Sequence, residues 1–176
     1  MNWKRRRPDR LARLAMAIDA IGDRDRRQAD ENTRNDRLRA TGALTLYSLC
    51  REFVDSLNER LHTPDLLLDP PHFGRDNFHD PGSNIIQVSL RGRLLMLEFE
   101  ATGEPSSTDD YSRPYLLHGA IRGLNQELLD RNLVSEKAIF YCPHGDEGTW
   151  YFVDNRNYRT GKFGPDLLAS ELERLL

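Results

Sequence analysis

The sequence predicts an α+β protein: a mainly antiparallel sheet of about five strands packed by helices, with a basic N-terminal helical arm. Three observations carry this. Two pairs of strand-like apolar segments are closed by turns, at Gly92 and between Gly145 and Gly148, as in β-hairpins. Apolar residues recur at helical spacing over 36–61 and again at the C-terminus. Charge is uneven. Residues 1–40 hold 12 of the 25 Lys and Arg and 7 of the 28 acids, a net of +5, and residues 41–176 hold the other 13 and 21, a net of −8. The expected division is a basic, partly helical arm over 1–35 and a single α+β domain over 36–176.

Taken in order, residues 8–21 read as a short amphipathic helix. Pro8 suits its first turn, Gly22 its end, and Leu11, Leu14, Ala15, Ile18 and Ile21 its apolar side. Residues 23–36 are almost wholly polar and predict a partly ordered linker. Thr33 or Asp36 can then cap a helix to about Leu61, whose stripe runs Leu38, Gly42, Leu46, Leu49, Cys50, Phe53, Val54, Leu57 and Leu61.

Residues 66–68 predict a short strand ended by Asp69-Pro70-Pro71, with a loop to Ser83. Residues 84–90 and 93–101 predict a hairpin. In its second strand Leu95, Leu97, Phe99 and Ala101 share one face, and Leu94, Met96, Glu98 and Glu100 share the other. Residues 102–112 predict a mobile polar loop. Residues 114–132 fit both periods. Tyr115, Leu117, Gly119 and Ile121 alternate as in a strand, while Leu117, Ile121, Leu124 and Leu128 recur as in a helix. Ser112 as a cap and Pro114 in a first turn favour the helix. A hairpin over 136–142 and 149–154, an edge strand over 158–163, and a C-terminal helix opened by Gly164-Pro165-Asp166 complete the chain.

The resulting order is helix, short strand, hairpin, helix, hairpin, helix. From about residue 36 it resembles the element order of type III secretion chaperones, with no motif residue carrying the likeness. That resemblance implies a small, dimeric, non-catalytic binding protein.

Function classes narrow by absence. No apolar run reaches the roughly 18 residues of a membrane helix. The basic N-terminus lacks an apolar secretory core, and Asp9, Asp19, Asp23 and Asp25 argue against a transit peptide. Cys50 and Cys142 sit in apolar surroundings, as buried free thiols of a cytoplasmic protein do. There is no phosphate loop and no dinucleotide fingerprint, so no cofactor is expected.

The candidate chemistry is correspondingly thin. His72 and His79 share one loop, and Cys142, His144 and Asp146 share a turn. A zinc would need the two to meet, so His72, His79 and His144 are weak metal candidates. Glu98 and Glu100 point to one strand face. They fit a divalent-metal or acid–base pair, or a wet face paired with Arg91 or Arg93 across the hairpin. Cys142 with His118 or His144 would make a nucleophilic pair, although a buried thiol is the simpler reading.

Lys4, Arg5, Arg6, Arg7, Arg10 and Arg13 form a patch suited to phosphates. Trp150, Tyr151, Tyr158 and Phe163 lie in an aromatic-rich second half suited to partner contact. The expectation is a non-catalytic domain that binds a protein through this aromatic face and the arm, in the manner of an adaptor or chaperone, with self-association into a homodimer allowed by the apolar helix faces. A nucleic-acid-binding protein led by the basic arm is the alternative, and a metal-dependent hydrolase or nuclease the second.

Overall fold

A computed structural model describes residues 6–109, 111–126, 130 and 134–176. By its internal contacts the chain divides into two compact units, Met1–Asp36 and Arg37–Leu176.

Helix α1 spans Arg6–Asn58, 53 residues without a break. The two helices and the linker expected from the sequence are therefore one element. The segment 23–36 contains no Gly or Pro to break a helix, and its four Arg are sound helix formers, although its four Asp are not. It also supports itself locally. Arg26 pairs with Asp23, the Gln28 amide donates to Asn32 at 3.0 Å, and the Thr33 hydroxyl donates to the Ala29 carbonyl at 2.9 Å. Gly22 stays inside the helix, and beyond the helix's own nearby backbone and the two flanking residues nothing described lies within 4 Å of where its Cβ would be. Within the first unit Leu11, Leu14, Met16, Ile18 and Ile21 are all more than half exposed.

The second unit is a seven-stranded antiparallel sheet, two strands more than expected. Its strands are β1 Leu67–Asp69, β2 Ser83–Leu90, β3 Arg93–Thr108, β4 Tyr111–Leu124, β5 Ser135–His144, β6 Glu147–Asp154 and β7 Arg159–Lys162. They lie in sequence order, each antiparallel to the next. A short 3-10 turn, Arg75–Asn77, sits in the loop before β2. Helix α2, Pro165–Glu173, ends the fold, with Pro165 in its first turn as expected.

Two expectations fail here. The loop over 102–112 is largely strand, because β3 continues to Thr108 and β4 starts at Tyr111. Residues 111–124 form a strand and no helix. Both periods fit the sequence there, and long-range pairing decides: β4 pairs β3 on one side and β5 on the other. Gly119 permits that close approach, since a Cβ on it would fall 2.0 Å from the Glu98 carbonyl oxygen. Pro114 falls in the irregular stretch where β3 and β4 shift register, so its missing N–H removes no regular ladder bond. Beyond it, Gln126 and Asp130 are helical, while Leu128 and Asn132 lie outside the described residues. Residues 114–124, expected as the first part of a central helix, are strand instead, so the element order behind the chaperone resemblance changes there.

The core fills one face of the sheet. Leu38, Leu46, Cys50 and Val54 of α1 meet Ile86, Val88, Leu95, Leu97, Phe99, Ile121 and Ile139 of the strands, and Leu168 and Leu172 of α2 close it. The α1 stripe and the β3 alternation read from sequence are the ones buried. Leu176, after α2, is exposed. The other face carries a second cluster of Tyr111, Tyr115, Cys142 and Val153, with Phe140 and Tyr151 against it.

Candidate functional site

The four aromatic residues expected to meet a partner divide by burial. Trp150 is 2 % exposed. Its indole N–H donates to the Gly42 carbonyl at 2.8 Å, and its ring meets Phe99 edge-on at 5.8 Å. Phe163 is buried in the same core. Both are therefore packing residues and no contact surface. Strand β6 carries aromatics on alternating faces, and the sequence could not say which face α1 covers. Tyr151 points to the opposite face and is half-buried, and Tyr158 is 74 % exposed in the turn before β7, with φ of 55°.

Around Tyr151 the second face is aromatic at one end. The Arg113 guanidinium lies 4.8 Å over the Tyr151 ring, and the Tyr151 hydroxyl reaches His144 Nε2 at 3.4 Å. Tyr111 stacks on Phe140 at 4.3 Å, and its hydroxyl contacts Cys142 Sγ at 3.2 Å. Burial raises the Cys142 thiol and the Tyr111 phenol above their ordinary pKa values. Cys142 is thus a neutral buried thiol partnered by Tyr111, and it forms no nucleophilic pair with His118 or His144.

The other end of this face is polar. Ser83 donates to Glu98 at 3.0 Å, and Arg122 bridges Glu98 at 2.8 Å and Glu136 at 2.5 Å. His118 Nε2 lies 3.2 Å from Glu100. A shallow cleft of about 310 Å³ lies along Ser83, Glu98, Glu100, His118 and Arg122. The hydrogen bond from Arg122, then that from Ser83, holds the Glu98 carboxyl below its ordinary pKa. An ionised carboxylate clamped by Arg is a poor general acid. Arg91 and Arg93, the partners expected across the hairpin, turn elsewhere. Arg91 pairs with Asp65, and Arg93 donates to the Leu175 carbonyl at 2.6 Å.

The weak metal candidates do not converge. Among the described residues no three His, Cys, Asp or Glu side chains gather in a way that could hold a metal ion. The His79 backbone N–H donates to the Asn84 side chain, and His144 lies beside Tyr151. Of the basic patch, Lys4 and Arg5 lie outside the described residues, Arg6 and Arg7 fall within α1, and Arg10 and Arg13 are exposed on it.

Sequence reasoning missed a buried ion cluster. The Lys137 ammonium lies 2.5 Å from Glu171 and 3.4 Å from Asp154, and all three residues are almost fully buried. Burial pushes the Asp154 carboxyl up. The Arg156 amide and Lys137 outweigh it and hold the carboxyl below its ordinary value. Nothing local in the sequence links Lys137 to Glu171. Among the described residues no helix is long and apolar enough to cross a membrane. Compared with known proteins, the chain matches no family model, no curated protein and no solved structure.

Proposed function

We propose that this chain is a non-catalytic protein-binding module whose main contact surface is an apolar seam on the first unit of α1. One observation carries the reading. Leu11, Leu14, Ile18 and Ile21 are 65, 55, 59 and 57 % exposed, although each is a residue type that folded chains normally bury. Their spacing of three, four and three is the a/d spacing of helix pairing, and it recurs in helices that dock into apolar grooves. Ala15 and Ala17 flank the seam and let a second backbone approach closely. Two heptads make a short seam, so the association is of moderate strength and reversible. The seam fits another helix, and the first candidate is that of a second copy. Arg10 and Arg13 beside it are better suited to steering an acidic partner than to gripping a duplex, because Asp9, Asp19 and Asp23 interrupt the basic run.

The test compares the wild type with a Leu14→Asp/Ile18→Asp double variant. Both are run on a sizing column with light scattering, and nucleic-acid and protein absorbance are read across the peak. The wild type is expected above the mass of one chain with a protein-like absorbance ratio, and the variant at the mass of one chain. A heavy peak rich in nucleic-acid absorbance, shared by both proteins, would overturn the reading in favour of the nucleic-acid alternative. Equal masses for the two proteins would show that the seam is not the contact.

A further inference from the structure

The free edge of the sheet at β7 is independent of the helical seam. Among the described residues strand β7 pairs with β6 alone, at the end of the strand order. The Phe163 N–H donates to the Trp150 carbonyl, and this fixes the alternation of the ladder. Gly161 then bonds to β6, the Arg159 N–H donates to the Asn157 side chain at 2.9 Å, and Thr160 and Lys162 turn their N–H and C=O groups outward. These are the groups an added strand would take up.

Each face of β7 also borders a concavity. On the core face, a cleft of about 290 Å³ runs between Gly161 and Ser170 of α2, with buried Lys137 and Asp154 in its wall. On the second face, a cleft of about 480 Å³ lies between β7 and the start of β4, lined by Tyr111, Ser112, Arg113, Tyr151, Thr160, Gly161 and Lys162. An added strand sends alternate side chains to the two faces, so its residues would enter one cleft and then the other.

The second-face cleft has a definite charge. Its lining holds two cations, Arg113 and Lys162, two phenols and no carboxylate. Arg113 rests on the Tyr151 ring, and neither cation makes an ion pair among the described residues. Arg159, on the core face of the strand, adds a third cation to the edge. Cations on a short edge strand repel a second copy of that edge, which guards it against self-pairing. They leave it open to a strand of opposite charge.

We infer that β7 accepts an extended acidic segment of a partner protein as an eighth strand, with its carboxylates in the cleft between Arg113 and Lys162. Main-chain bonds to Thr160 and Lys162 supply the attachment, and the two cations supply the selectivity.

Short capped peptides of alternating glutamate and threonine, glutamine and threonine, and lysine and threonine test this on the full chain. Amide exchange at Thr160 and Lys162 is read by NMR, with Gly161 as the internal reference. The glutamate peptide is expected to slow exchange at Thr160 and Lys162 and leave Gly161 unchanged. The glutamine peptide should do so about tenfold more weakly, since it loses the charge-assisted bonds, and the lysine peptide not at all. Thr160→Pro removes an outward N–H and should abolish the protection. An Arg113→Glu/Lys162→Glu variant, which leaves the β7 backbone intact, should prefer the lysine peptide.

No protection by any peptide would overturn the inference. So would equal protection by the glutamate and glutamine peptides, or glutamate binding that survives Thr160→Pro in a folded variant. None of these outcomes bears on the helical seam.

Discussion

At the residue scale, two glycines in one strand separate backbone from side-chain tolerance. A Cβ at Gly119 would meet the Glu98 carbonyl and the Phe99 backbone, which cannot yield without moving β3. A Cβ at Gly123 would meet only the end of the Leu175 side chain, at 3.1 Å. Gly119→Ala should cost about 3 kcal/mol or more, and Gly123→Ala less than about 1.5 kcal/mol, measured by denaturant unfolding. Lys137 is a second sharp case. Lys137→Met leaves Asp154 and Glu171 without their buried cation, with only the half-exposed Arg174 still 3.5 Å from Glu171, and should cost about 3 kcal/mol, much of it recovered in a Lys137→Met/Glu171→Leu/Asp154→Leu variant. Burial pushes the Cys50 thiol up to about 12 and raises Cys142 as well. Neither should react with an aromatic disulfide reagent at neutral pH until the protein unfolds, and rapid labelling of the folded chain would contradict the packing. The thiols' burial was readable from their apolar neighbours. The Lys137 cluster was not: Lys137 and Asp154 meet across the β5–β6 hairpin, but Glu171 joins them only through the packing of α2.

At the element scale, periodicity carried the reading wherever one face is buried. The stripe of α1 from Leu38 to Leu57 and the alternation of β3 were legible because core and solvent impose different residue types on the two sides. Residues 23–36 were misread because they bury almost nothing, so no stripe marks them, and their helicity is supported by local side-chain bonds three and four residues apart. Gly22 tests that account. It sits in a helix interior with open space where a Cβ would go, so Gly22→Ala should stabilise the helix by about 1 kcal/mol and raise helicity by circular dichroism. A fall in helicity would mean the chain breaks there. Strand β4 was misread for the opposite reason. It is central in the sheet, apolar on both sides of the Tyr115–Ile121 stretch, and its sequence satisfies both periods until β3 and β5 pair with it. Trp150 and Phe163 were assigned to the surface because sequence shows that β6 has two aromatic faces but not which of them α1 covers.

At the scale of the whole molecule, acid should destabilise the fold through carboxylates held in ionised form. Glu98 and Asp154 both have folded pKa values below their ordinary ones. The folded state therefore binds their protons more weakly than the unfolded state. Their contribution is fully present above the ordinary carboxylate range and is lost as pH falls through the lowered folded values. Thermal midpoints should be flat near neutrality and drop at acid pH, with a shallower drop in Glu98→Gln and in Asp154→Asn. An equal drop in both variants would place the acid sensitivity elsewhere.

The proposed role as an interaction protein rests on the seam on α1. It is tested most directly by a photo-reactive residue placed at Ala17 in living cells, followed by mass spectrometry of what it captures. The account predicts cross-links to a helix of a protein, its own second copy included, and their loss when Leu14→Asp and Ile18→Asp are added. Cross-links to nucleic acid, or an unchanged protein yield in that variant, would contradict it.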